Sequence, residues 1–79
     1  MDEFKGWLKR SVKLGDASAK DVASRARRAS TFVNLDSKQS TEDILHAMSK
    51  NPEFRRLSTF VRSQLRRAVT LYRQFNDRS

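Results

Sequence analysis

Seventy-nine residues suffice for one domain with a small core, because so short a chain buries proportionally little of its surface. The absence of cysteine excludes a disulfide framework and a thiolate metal site and points to a reducing, cytoplasmic compartment, nucleoid-associated in a bacterial or phage setting; no apolar run approaches the roughly 20 residues of a membrane span, and MDEFKGWLKR lacks a signal peptide's apolar stretch. Seventeen Lys and Arg against nine Asp and Glu leave a formal charge of +8 and a pI near 10.9, the balance of a protein that meets a polyanion.

The spacing of Phe4, Trp7, Leu8 and Val12 predicts a first amphipathic helix over about 3–14, with Lys5, Lys9, Arg10 and Lys13 pointing away from the apolar face. Gly6 weakens it by about 1 kcal/mol relative to alanine, and Gly15-Asp16 is the expected stop. Ser18-Ala19-Lys20-Asp21 has the form of a capping box with Asp in the acidic place. A second helix is therefore expected over 19–33, with Val22, Ala26, Ala29 and Val33 inward, Phe32 nearby, and Lys20, Arg25, Arg27 and Arg28 supplying charge. Alanines at its middle positions allow close approach of another helix.

Asn34 to Gln39 reads as a loop with Leu35 plugging the core. Ser40-Thr41-Glu42-Asp43 opens a third helix over 41–50 with Ile44, Leu45 and Met48 inward. Its acidic front would repel phosphates, so the expectation sets this helix apart from any nucleic acid.

From Pro52 to about residue 76 the residues Phe54, Leu57, Val61, Leu65, Ala68, Tyr72 and Phe75 recur at steps of three and four, the seam of one long helix. Asn51 is a good N-cap and Pro52 suits the first helical position. Ser58-Thr59 offers a second start that would split residues 52–57 off as a separate turn. The fold expected is thus all-α: a single domain over 1–79, a bundle of four short helices, or five if the split occurs, ending in a long basic one.

No constellation here suggests catalysis. His46 is the single histidine and has no cysteine or clustered carboxylates to complete a zinc site. Glu42 and Asp43 are adjacent and point about 100° apart on a helix, which suits helix N-terminal acids and not an acid/base pair. Two glycines, Gly6 and Gly15, cannot build a phosphate loop or a nucleophile elbow. Tyr72 lies on the apolar seam, with its hydroxyl expected at the rim. No cofactor, metal or small-molecule substrate is expected.

What remains is charge. At about 100° per residue Arg55, Arg62, Arg66 and Arg73 form a line roughly 27 Å long, flanked by Thr59, Ser63 and Thr70, with Arg56 and Arg67 beyond. Glu53 and Asp77 are its nearby acids, too few for i, i+4 pairing to explain the arginines. Such a line can track phosphates, and small hydroxyl side chains permit close approach to a groove. Phe60 and Leu71 fall some 80–120° off the seam, either widening the buried face or forming an exposed apolar patch for a protein contact or a second copy of the chain.

The succession Phe4, Trp7-Leu8, Ser18-Ala19-Lys20-Asp21-Val22, Ser24-Arg25-Ala26-Arg27-Arg28, a short acid-started helix, Ser58-Thr59, Leu65-Arg66-Arg67-Ala68 and Leu71-Tyr72-Arg73-Gln74-Phe75 resembles the N-terminal core-binding (SAM-like) domain of tyrosine recombinases and phage integrases. The resemblance covers nearly the whole chain through helical spacings. It implies a bundle lying on one side of duplex DNA, with the second and last helices at the major groove and Lys20, Arg25, Arg27, Arg28, Arg62, Arg66 and Arg73 at the duplex. First-helix lysines would add phosphate contacts. Val22 and Ala26 stand where that family has larger side chains, the loop before Ser58 is shorter, and the recombinases' catalytic domain has no counterpart here. The expectation is accordingly a non-enzymatic DNA-binding module, either an excised domain or a stand-alone protein of a phage or mobile element, contacting DNA through Lys20, Arg25, Arg27, Arg28, Arg55, Arg62, Ser63, Arg66 and Arg73. The alternative is a small inhibitor or adaptor that covers an acidic protein surface, with Phe60 and Leu71 as anchors.

Overall fold

Each helix boundary follows from a local competition for backbone hydrogen bonds, and the computed structural model, which describes residues 2–77, shows which competitor wins. Five helices form and no strand occurs among the described residues: α1 (Asp2–Arg10), α2 (Asp16–Ala29), α3 (Thr41–Lys50), α4 (Pro52–Arg55) and α5 (Thr59–Asp77).

Helix α1 stops four residues before the expected end. Lys13 takes a left-handed conformation with φ of 63°, which turns the chain back so that the Leu14 N–H reaches the Leu8 carbonyl at 3.1 Å. Gly15 is therefore not the stop of α1. It is extended, with φ of −66°, and serves as the N-cap of α2 without a side-chain cap; the Ala19 N–H closes the first turn onto its carbonyl at 2.9 Å. Ser18, expected to cap, sits exposed inside that first turn. Asp16 supplies the acid instead, at the positive end of α2, where it accepts from Lys9 at 3.1 Å and lies 3.8 Å from Lys5.

The second helix also ends early, at Ala29 and not Val33. Ser30 and Thr31 turn their hydroxyls back onto the carbonyls of Arg27 and Arg28, and such local bonds compete with helix continuation. The turns that follow carry Phe32 to the Phe54 ring, edge to face with centroids 5.9 Å apart. Val33 is half-buried against the core from this turn.

From Leu35 onward the expected elements form with their expected caps. Leu35 is buried. The Ser40 hydroxyl accepts the Asp43 N–H at 3.1 Å and opens α3. Asn51 closes α3 and opens α4, accepting from the Glu53 and Phe54 N–H groups at 2.9 and 3.3 Å. Residues 52–57 are split from the long helix: the Ser58 hydroxyl accepts the Val61 N–H at 3.2 Å and starts α5 at Thr59.

The centre of the molecule is the α2–α5 pair. Ala19, Ala23, Ala26 and Ala29 line the inner side of α2 and let Leu65, Ala68 and Val69 of α5 come close. Helix α1 closes the α5 C-terminal end through Phe4 and Trp7, packed with Tyr72 and Phe75. Ile44, Met48 and Phe54 of α3 and α4 complete the core, and no polar or charged residue is buried among the described residues. The Cα envelope measures 34 × 27 × 15 Å. A thickness of 15 Å holds two helices stacked at about 8–10 Å, so no helix is enclosed all round and each turns a polar back to solvent.

Candidate nucleic-acid interface

Charge on this thin bundle is poorly neutralised. Among the described residues the ion pairs are those of Lys5 and Lys9 with Asp16. The Lys9 hydrogen bond, then the charges of Lys5 and Lys9 and that of Lys20, hold the Asp16 carboxyl below its ordinary range. On α2, Lys20, Arg27 and Arg28 are exposed and Arg25 is half-buried. Lys20 and Arg27 share a cleft with Lys5 of α1, while Lys9 is engaged by Asp16.

The arginine line of the C-terminal stretch breaks into four different situations. Arg55 is exposed at the end of α4, outside α5. Arg62 is half-buried; its Nη2 donates to Thr59 Oγ1 at 3.1 Å, while its Nε is enclosed without an acceptor. Arg66 is exposed, donates to Ser49 Oγ at 3.1 Å, and places its guanidinium carbon 5.6 Å from the Phe54 ring centroid, within cation–π range. Its fork is anchored at one edge and open at the other. Ser63 is exposed beside it.

Arg73 is different, because most of its donors are engaged within the protein. Its Nη1 donates to the Leu35 and Ser37 carbonyls, both at 2.8 Å, its Nη2 to the Gln39 carbonyl at 2.7 Å, and its Nε to Thr41 Oγ1 at 3.4 Å. A guanidinium carries five N–H donors, so one is left for anything outside the protein. Around it, Tyr72 donates from its hydroxyl to Asp36 Oδ1 at 3.0 Å and Asn76 Nδ2 donates to the same oxygen at 3.2 Å. Burial, then the Asp36 hydrogen bond and charge, push the Tyr72 phenol above its usual value. The C-terminal turns of α5 thus grip the loop between α2 and α3.

These contacts also bring the acidic-fronted third helix against the arginine line. Thr41 and Ser49, at the two ends of α3, touch Arg73 and Arg66. Glu42 and Asp43 remain exposed in the first turn of α3, next to Thr41 and hence close to the Arg73 end. A duplex on this side would meet its arginines around Arg62 and Arg66, toward the N-terminal half of α5.

The two flank residues part company. Phe60 is 71% exposed, while Leu71 is partly buried and packs on the core. Leu71 thus widens the buried face, and Phe60 is the exposed member of the pair. His46 is exposed on α3, and no group of three or more His, Cys, Asp or Glu able to hold a metal occurs among the described residues. No described helix is long and apolar enough to cross a membrane.

Sequence spacing missed the Thr41, Ser49 and Asp36 contacts to α5, because each joins residues 17 to 40 positions apart. Compared with protein-family models, with curated proteins and with solved structures, the chain matches none.

Proposed function

We propose that the protein is a non-catalytic double-stranded DNA-binding module that contacts phosphates through Lys20, Arg25, Arg27 and Arg28 of α2 and Arg55, Arg62 and Arg66 of α4 and α5. The observation that carries this reading is the unpaired state of those cations: none has a carboxylate within salt-bridge distance among the described residues, although the chain holds nine acids. Cations packed this densely repel one another unless an external polyanion takes the place of the missing acids. Arg66, held at one edge by Ser49 and stacked on Phe54, is a pre-oriented donor of the type that grips phosphate at low entropic cost. Ser63 adds a hydroxyl for phosphate or base-edge contact, positioning more than specifying. The resemblance to recombinase core-binding domains supports the same reading and suggests a nucleoid-associated, cytoplasmic setting.

An electrophoretic shift of random duplex tests this. Arg62→Ala with Arg66→Ala should weaken binding by about tenfold or more, on the scale of two charge-assisted contacts. Unchanged binding would remove α5 from the interface.

A second reading has one observation in its favour, the 71% exposure of Phe60. An aromatic ring so exposed is the kind of residue that anchors a protein interface, here on an acidic partner surface or a second copy of the chain. Phe60→Ser should abolish such a contact and leave duplex binding intact, with the core residue Leu71 untouched.

A further inference from the structure

Residues of α1 and α2 enclose an open cleft of about 290 Å³ lined by Asp2, Lys5, Lys20, Ala23, Ser24 and Arg27. Its geometry follows from helical spacing. Asp2 and Lys5 are three apart on α1, and Lys20, Ser24 and Arg27 lie at steps of four and three along one flank of α2. Ala23 is small and forms the floor, so the longer side chains rise around it. We propose that this cleft is a discrete seat for one phosphoryl group, a phosphate monoester or diester, held by Lys5, Lys20 and Arg27 with the Ser24 hydroxyl as a neutral donor.

Three cations face one acid across the lining. Lys20, Arg27 and Ser24 make no side-chain hydrogen bond or ion pair among the described residues, and Lys5 is engaged only at 3.8 Å with Asp16. Phosphate suits this set better than carboxylate does. A guanidinium fork matches two phosphate oxygens, and the further oxygens of a tetrahedral phosphoryl group can accept from the two separated ammonium groups, where a planar carboxylate offers two oxygens in all. The seat shares Lys20 and Arg27 with the proposed duplex face but does not depend on it, since a free anion tests it without any duplex.

The experiment is an amide and side-chain NMR titration of the whole chain with inorganic phosphate against chloride at constant ionic strength. Saturable shifts confined to Lys5, Lys20, Ala23, Ser24 and Arg27, with a dissociation constant of about 1–10 mM, are expected. They should disappear in Lys20→Gln with Arg27→Gln and persist in Lys50→Gln, an exposed cation at the end of α3; the thermal melt of each variant checks that its fold is kept. Two short oligonucleotides, with and without a 5′-phosphate, then separate the sources. A preference of about tenfold for the phosphorylated one assigns a terminal monoester, and equal binding that shifts the same five residues assigns a backbone diester. Linear shifts spread over the whole basic surface, or shifts that survive in the double variant, would overturn the proposal.

Discussion

At the scale of single residues, the same side-chain type does opposite work along α5. Arg73 donates to three loop carbonyls and one hydroxyl, whereas Arg67 is exposed and makes no such bonds among the described residues. Removing Arg73 strips carbonyls of a charged donor and frees the loop that seats Leu35. Arg73→Ala should therefore lower stability by about 2–3 kcal/mol, given partial solvent exposure, while Arg67→Ala stays within about 0.5 kcal/mol. Urea denaturation checks both, and equal effects would refute the clamp. The angular position of Arg73 beside Arg62 and Arg66 was legible from helical spacing. What each faced was not, because spacing says nothing about a loop 34 to 38 residues away in the chain.

At the scale of elements, caps decide the outcome. Ser40 and Asn51 were readable because a side-chain acceptor followed by helical periodicity is a local signal, and both act as read. The same chemistry at Ser18 misled, since the Lys13 turn brings Gly15 and Asp16 into the starting position first. Ser58 governs the α4–α5 break: Ser58→Ala should cost about 1 kcal/mol and fray the first turn of α5 around Thr59 to Val61, seen as faster amide exchange there than in α3. At the α1–α2 junction, Asp16 adds an exposed ion pair to the apolar packing. Its folded acidity lies below the ordinary 3.8, so its contribution is fully present above that value and is lost as pH falls through the lower, folded one. Acid titration followed by Trp7 fluorescence should show α1 loosening only below about pH 4, and Asp16→Asn should remove that phase.

At the scale of the whole molecule, a slab 15 Å thick with a charge of +8 has no interior in which to hide its cations and few acids that engage them. The all-helical bundle was legible because apolar residues repeat at helical steps through the four longer helices. The surface was only half legible. Charge excess and the α2 cations could be read directly, yet the division between arginines bound to the protein and arginines left open depends on α3 lying against α5, which no local pattern announces. Cations without partners are the premise of the DNA-binding account, and counterion release is its direct physical consequence. Titrating duplex affinity against salt therefore tests it most directly. With about seven phosphates contacted, one for each cation proposed to lie at the duplex, log K should fall against log salt with a slope of about −6. A slope near zero would contradict it.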